Sequence, residues 1–154
     1  MAQGATPELD DIDKAIIRHL QRDGRMPYSR LGPAVGLSQA AARQRVQRLV
    51  DRGVMQVVAV TDPAMLGFAV QAMAGITVWG DVRAVSKQLG DMDEVEYVVI
   101  TSGRFDLLAE VVCTDTRGLL DLVNDRIRSI EGVRGVEVFT YLALTKQTYT
   151  WGTR

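Results

Sequence analysis

"LGPAVGLSQAAARQRVQRLVDRG", residues 31–53, holds four arginines and one acid, although the 154-residue chain has a formal net charge of −1. Ser38 follows a Gly-Leu pair, and serine caps helix N-termini by accepting a backbone N–H bond. The helix that it begins is expected to run to about Arg52 and to stop at Gly53. A short helix, a tight glycine-containing turn and this longer helix together predict a helix-turn-helix.

The residues on either side fit the same motif. Residues 9–24, "LDDIDKAIIRHLQRDG", have apolar side chains at helical spacing, acids in the first turn and a final glycine, which predicts an amphipathic helix. Residues 28–35 predict a helix of about two turns with Ser29 as its cap. A Gly-Pro pair inside it predicts a shorter or bent helix, because proline lacks a backbone N–H and disfavours helix in the preceding residue. Residues 54–60, "VMQVVAV", predict a strand that would form the wing.

On a helical wheel, Ala42, Val46 and Leu49 form one buried stripe of the longer helix. Its opposite face combines arginines for phosphates, glutamines for base edges and small residues for thymine methyl groups, so it suits a DNA major groove. The alternative is a solvated surface helix with no ligand. The candidate DNA-binding residues are Ser29, Ser38, Gln39, Ala40, Arg43, Gln44, Arg45, Gln47 and Arg48.

Charge is unevenly distributed along the chain. Residues 1–60 hold nine Lys or Arg against six Asp or Glu, whereas residues 61–154 hold nine against thirteen. This asymmetry predicts a basic module that meets an anion, attached to an acidic module with another task. Chance fluctuation of charge along the chain is the alternative.

The remaining residues predict a second domain. "TDPAMLG", residues 61–67, contains Pro and Gly and predicts a linker. Hydrophobic periodicity then predicts a strand, a helix, two strands joined by a "TSGR" turn, a helix and a strand, at residues 68–79, 81–90, 95–100, 105–113, 115–132 and 135–144. The order β-α-β-β-α-β is that of the ferredoxin-like fold.

The predicted sheet has apolar residues on both faces. Leu108 and Val112 lie on the face opposite Leu107, Ala109 and Val111 in the third strand, and the final strand also has apolar side chains on both of its faces. Because two helices cover only one side of such a sheet, the other side requires a cover. The simplest cover is a second copy of the chain, which gives a two-fold dimer that suits paired DNA half-sites.

Four stretches together resemble the Lrp/AsnC (leucine-responsive, feast/famine) family of bacterial and archaeal transcription regulators. They are "LDDIDKAIIRHLQRDGR", "VGLSQAAARQRVQRLVDRGVM", "TSGRFDLLAEVV" and "IEGVRGVEVFTYLALTK". The resemblance implies an α+β protein, with an N-terminal winged helix-turn-helix followed by a ferredoxin-like βαββαβ (RAM) domain. It also implies a sequence-specific regulator of transcription whose dimers assemble into octamers or related rings, with an amino acid or similar metabolite as effector.

The expected domains are residues 1–60 for DNA binding, residues 61–67 as linker, and residues 68–154 for effector binding and oligomerisation. The expected partners are double-stranded promoter or operator DNA, a small-molecule effector and further copies of the chain.

By the same resemblance, the effector lies between dimers against the loop "TSGRFD". Backbone N–H groups near the glycine and the two hydroxyls would bind a carboxylate, and the aspartate an ammonium. Two departures bear on effector identity, because the family usually has glycine at Ser102 and tyrosine at Phe105. An ordinary hairpin turn is the alternative. The candidate effector-binding residues are Thr101, Ser102, Gly103, Arg104, Phe105 and Asp106.

Several function classes find no support in the sequence. One His and one Cys give no zinc set, and no P-loop or dinucleotide motif occurs, so we expect no cofactor, no metal and no catalytic residues. The absence of an apolar run near eighteen residues and of a signal peptide predicts a cytoplasmic protein with no membrane partner. Two alternatives stay open. One is an enzyme using acids among Glu94, Glu96, Asp106 and Glu110, and the other is a sensor with a vestigial helix-turn-helix, for which Gly32-Pro33 is the support.

Overall fold

The computed structural model describes residues 8–148, which divide into one unit of residues 8–60 with 146–148 and a second unit, Thr61–Thr145. Among these residues, no helix has both the length and the apolar character that a membrane span requires. The first unit contains three helices: α1 (Asp11–Arg22), α2 (Tyr28–Ala34) and α3 (Gln39–Asp51).

Side-chain caps set the starts of α1 and α3. The Asp10 carboxylate accepts a hydrogen bond of 2.7 Å from the Asp13 N–H. Ser38 is the N-cap of α3, as predicted, and its Oγ accepts a 3.2 Å bond from the Ala41 N–H. Gly53 follows the end of α3 with φ 68°, a backbone conformation that glycine adopts without steric cost.

One expectation for α2 is wrong. Its N-cap is Pro27 rather than Ser29, which lies inside the helix. The helix also continues through Gly32 and Pro33, because the proline sits in the last turn, where it removes no more than one intrahelical hydrogen bond. A Cβ at position 32 would lie 2.8 Å from the Leu37 carbonyl oxygen, so glycine permits the close approach of α2 and the turn.

The core of the first unit joins all three helices. Its buried members are Ile16, Ile17, Leu31, Val46 and Leu49. The buried residues of α3 are Ala42, Val46 and Leu49, which confirms the predicted stripe. The helix face on the other side is thereby left to solvent.

The prediction of a wing strand after α3 is wrong. Residues 54–60 contain no β-strand, and Val57, Val58 and Val60 are exposed. A strand requires a hydrogen-bonding partner, and no segment within residues 8–148 pairs with this one.

The second unit confirms the predicted order of elements. After a 3₁₀ turn at Pro63–Leu66, the elements are β1 (Val70–Val78), α4 (Val82–Gly90), β2 (Val95–Ile100), β3 (Leu107–Cys113), α5 (Thr116–Asp121) with a π-helical continuation (Leu122–Ile127), and β4 (Val133–Thr140). The strands form an antiparallel sheet in the order β2-β3-β1-β4, with two helical connections.

Two details of the second unit differ from the sequence expectation. The last helix, expected as one regular segment over 115–132, changes to π-type hydrogen bonding at Leu122. The final strand ends at Thr140 rather than at residue 144, and Leu142 beyond it is almost fully exposed.

The core of the second unit lies between the sheet and its helices. Alternate residues of β1 and β3 point into it, among them Ala72, Ala74, Ile76, Leu107, Ala109 and Val111. The intervening residues occupy the other side, which we call the open face. No helix of the second unit covers the open face, and Tyr97 and Phe139 on it are about half exposed.

Candidate DNA-binding helix and effector loop

The exposed face of α3 is basic and rich in amides. Arg43, Gln44, Gln47 and Arg48 are exposed on the side opposite the buried stripe. The Gln47 side-chain amide donates a 2.8 Å hydrogen bond to Asp51, which holds it along the helix. At the start of the helix Ser38, Gln39 and Ala40 are also exposed, and Ser29 is exposed on α2.

Arg43 and Arg48 have no carboxylate partner. Among residues 8–148, neither guanidinium forms an ion pair or a side-chain hydrogen bond. Arg48 also borders a cleft of about 320 Å³ that contains both acidic and basic side chains, among them Asp10, Asp13 and Arg45. The positive charges of Arg43 and Arg48 are therefore available to an external anion.

Arg45, in contrast, is held inside the unit. Its guanidinium forms ion pairs with Asp10 and, at 2.9 Å, with Asp13 of α1. Asp13 is a buried residue, and Arg45 holds the pKa of Asp10 below its ordinary value. Arg45 thus joins α3 to α1, a role that its position on the wheel did not reveal.

The loop between β2 and β3 is closed by its own hydrogen bonds. The Thr101 N–H donates to the Asp106 carbonyl at 2.9 Å, and the Thr101 hydroxyl donates to the Phe105 carbonyl. The Asp106 carboxylate accepts from the Val78 N–H at 2.7 Å. The groups expected to meet an effector's charges at Thr101 and Asp106 thus already have internal partners.

The middle of the loop is open to solvent. Ser102 and Gly103 are exposed, and a Cβ built at Gly103 meets no atom within 4 Å. Gly103 does not have the positive φ that a strained turn would require. A side chain at this position would therefore meet no neighbour, and the position does not demand glycine.

Phe105 attaches this loop to the open face of the sheet. Its ring lies against Gly75 of β1, where an added Cβ would be 2.7 Å from ring carbons. The ring meets Phe139 edge to face, with centroids 6.0 Å apart. The guanidinium carbon of Arg104 lies 4.9 Å from the centroid of the Phe105 ring. Nη2 of Arg104 forms an ion pair with Glu137 of β4. Gly75 and Glu137 were not among the predicted residues.

Comparison with known proteins identifies the two units. Residues 9–50 match the AsnC-type helix-turn-helix domain, and residues 70–154 match a C-terminal dimeric α+β barrel domain of AsnC-type regulators. The chain belongs to the Lrp/AsnC family of transcriptional regulators. The helix-turn-helix match spans α1, α2 and most of α3, so this Lrp/AsnC protein is a sequence-specific DNA-binding regulator of transcription.

Individual relatives cover nearly the whole chain. The HTH-type transcriptional regulator FL11 of Pyrococcus furiosus is 33% identical over 142 residues, which are 91% of this chain and 93% of FL11. The feast or famine regulatory protein of M. tuberculosis, complexed with L-methionine, is 31% identical with a TM-score of 0.85, covering 94% of this chain and 99% of that one. A transcriptional regulator of Neisseria meningitidis in an L-methionine complex is 25% identical with a TM-score of 0.83, covering 94% and 96%.

Family membership excludes the enzyme alternative, because the family consists of transcriptional regulators rather than enzymes. Of the acids considered for an acid/base pair, Glu94 pairs with Arg126, Asp106 accepts from a backbone N–H, and Glu110 accepts a 3.0 Å bond from Tyr141. Residues 8–148 contain no cluster of three or more His, Cys, Asp or Glu side chains placed to hold a metal ion. Three of the four acids therefore serve separate structural contacts, and the fourth, Glu96, is exposed.

Proposed function

We propose that this regulator reads its operator with the exposed face of α3 in the major groove. Arg43 and Arg48 contact phosphates, and Gln44 and Gln47 contact base edges. The observation that supports this assignment is the pair of exposed arginines without carboxylate partners on the side opposite the buried stripe. The residues proposed to complete the interface are Ser29 on α2 and Ser38, Gln39 and Ala40 at the start of α3.

Arg45 takes a different role in this proposal. Its ion pairs with Asp10 and Asp13 keep the guanidinium on the α1 side of α3. Arg45 thereby fixes the orientation of α3, the proposed recognition helix, and does not contact a phosphate.

Selection from a randomised duplex pool tests whether Gln44 and Gln47 contact base edges. The wild type is expected to enrich a defined sequence, and Gln44→Ala or Gln47→Ala to relax the preference at particular positions, since a lost bidentate contact costs about 1–3 kcal/mol of discrimination. Gln88→Ala serves as the control, because it removes an exposed glutamine from α4 in the second unit. An unchanged enriched sequence in both glutamine variants refutes the assignment.

We further propose that an amino acid is the effector and that it binds at the loop between β2 and β3. The L-methionine complexes of the M. tuberculosis and N. meningitidis relatives support this, together with the solvent-open middle of the loop. The proposed site comprises Thr101, Ser102, Gly103, Arg104, Phe105 and Asp106. A thermal-shift screen of the twenty amino acids tests it, since a ligand at 100 times its Kd stabilises by about 2.7 kcal/mol.

The chain is proposed to act as a dimer that assembles into octamers. The open face exposes Tyr97 and Phe139, and the matched domain is described as dimeric. A second copy packed on this face would bury those rings. Sedimentation equilibrium at micromolar concentration should then show no 16.9 kDa species. Within each copy, we propose residues 1–60 for DNA binding, 61–67 as linker, and 68–154 for effector binding and assembly in the cytoplasm.

A further inference from the structure

An irregularity in the edge strand β2 determines which of its side chains lies beside Glu110 on the open face. Val95 pairs with Val111 of β3, and the next pair is Tyr97 with Glu110, so Glu96 is passed over. An extra residue in one strand re-aims the side chains that follow it. A regular register would set Glu96 opposite Glu110, and like charges directly opposite each other destabilise a sheet. The irregularity therefore places a tyrosine beside Glu110 instead of a second carboxylate.

Glu110 is the one carboxylate in a row of four side chains that crosses the open face. Its cross-strand neighbours are Tyr97 and Met73, and Met73 pairs in turn with Phe139 of β4. The carboxylate accepts one hydrogen bond of 3.0 Å, from the Tyr141 hydroxyl. A carboxylate can accept several hydrogen bonds, and burying one that is incompletely bonded is costly. A second sheet that covers this row therefore has to offer Glu110 another donor.

Tyr97 has a hydroxyl to offer. The residue is 54% exposed, and within residues 8–148 its hydroxyl has no hydrogen-bond partner. Packed sheets lie about 10 Å apart, and a tyrosine that stands upright on its sheet is longer than half of that spacing. Its hydroxyl therefore extends past the shorter Glu110 side chain beside it and reaches the side chains of the covering sheet.

We propose that the Tyr97 hydroxyl of each copy donates to the Glu110 carboxylate of the other copy in the dimer. A two-fold interface repeats each contact with the roles of the copies exchanged, so the bond forms twice. Glu110 then accepts one bond from Tyr141 of its own chain and one from Tyr97 of the second copy. This assignment rests on the proposed dimer and deepens it, because it names the contact that fixes how the two faces meet.

The pair makes the open face selective for a second copy of this chain. Apolar side chains pack on any apolar surface, whereas Glu110 without a facing donor is an incompletely bonded charge removed from water. A related chain with no hydroxyl in the place of Tyr97 leaves that charge without its second bond, which penalises mixed dimers. Where several regulators of the family occur together, the pair keeps the DNA-binding dimers homogeneous.

Subunit exchange between two full-length variants tests whether the bond crosses from one copy to the other. Isotope-labelled Tyr97→Phe is mixed with unlabelled Glu110→Met, and native mass spectrometry reads the share of mixed dimers at equilibrium. In a mixed dimer one contact keeps both polar groups and the other joins two apolar side chains. Each unmixed dimer has two contacts with a single polar member. Effects confined to one chain are equal in mixed and unmixed dimers and cancel.

We expect mixed dimers to exceed random pairing. The exchange equilibrium constant should lie at least about tenfold above its random value, because a hydrogen bond to a charged group is regained in every mixed dimer. Tyr141→Phe mixed with Glu110→Met is the matched control, since it also removes a hydroxyl that donates to Glu110, but one from the same chain. The control mixture should pair at random.

Random pairing of Tyr97→Phe with Glu110→Met, in chains that sediment as dimers, overturns the assignment and leaves the proposed dimer standing. An equal excess of mixed dimers in the control also overturns it, because the bond between the copies would then belong to Tyr141. A monomeric wild type overturns both the assignment and the dimer. Glu110→Leu repeats the test, with the same expectations, if Glu110→Met does not fold.

Discussion

Replacing Arg45 by alanine separates the arginine that holds the first unit together from those proposed to meet DNA. Its guanidinium contacts Asp10 and Asp13, so the substitution removes both links between α3 and the start of α1. Arg43→Ala removes the same charge from the same helix at an exposed position without an ion pair, and is the matched control.

The expected loss of stability in Arg45→Ala follows from the burial of Asp13. This residue is 7% exposed, and its carboxylate accepts a 2.9 Å bond from Arg45. Leaving a buried acceptor without its charged partner costs about 1–3 kcal/mol. For a unit of this size, each kcal/mol corresponds to roughly 4–8 °C in Tm.

The contribution of Asp10 to the stability of the first unit depends on pH. Its pKa is lowered in the folded state, first by the hydrogen bond from Arg45, below its ordinary value of 3.8. The associated stabilisation is present above that value and is lost as the pH falls through the lowered pKa. Arg45→Ala should remove this component of acid destabilisation, whereas Arg43→Ala should retain it.

Hydrogen exchange of the full chain, read by peptide mass spectrometry, reports each unit separately. In Arg45→Ala, peptides from α1 and α3 should exchange faster, while β1 and β3 keep their wild-type protection. Arg43→Ala should leave all of them unchanged. Wild-type exchange of α1 and α3 in Arg45→Ala would show that the ion pairs do not stabilise the unit and would refute the structural role of Arg45.

Two predictions concern the second unit. Gly75→Ala places a Cβ 2.7 Å from the Phe105 ring and should lower the free energy of unfolding by about 1–3 kcal/mol in urea denaturation. In a Phe105→Ala background the same substitution should cost less, and an equal cost in both backgrounds would exclude the clash as its cause. Burial and the hydrogen bond to Glu110 raise the pKa of Tyr141 to about 12, so its stabilisation is complete below pH 10 and is lost as the pH rises towards 12. Absorbance titration of Tyr141→Phe at 295 nm should lack the last-ionising tyrosine, and a wild-type titration curve would contradict the assignment.

The recognition helix was predictable because its signals are local. Ser38 as cap, Gly53 at the end and the stripe of Ala42, Val46 and Leu49 follow from residue type and helical spacing. The role of Arg45 was not predictable, because it depends on which face α1 presents to α3. The missing wing strand has a similar cause, since pairing depends on a partner that no local pattern specifies.

The effector loop was likewise predictable only where its signals are local. The turn between β2 and β3 was indicated by its sequence, and the bonds of Thr101 lie within it. The bond that the Asp106 carboxylate accepts from Val78 depends on β1, which pairs with β3 from far away in the chain. A glycine inside a strand pattern signals close approach of another group, and Gly75 in "QAMAGITV" carried that signal. No sequence signal marked Glu137, apart from its position on the face of β4 opposite the core residues.

The salt dependence of DNA binding tests the central claim, that the unpaired arginines of α3 neutralise phosphates. Binding of wild type and an Arg43→Ala/Arg48→Ala double variant to one duplex is measured over a series of salt concentrations. The account predicts that the log–log slope falls by about 2 in the double variant, about 1 for each lost phosphate contact, while Arg22→Ala, which removes an exposed arginine from α1, keeps the wild-type slope. An unchanged slope and affinity in a double variant that is folded by circular dichroism would contradict the placement of α3 on DNA.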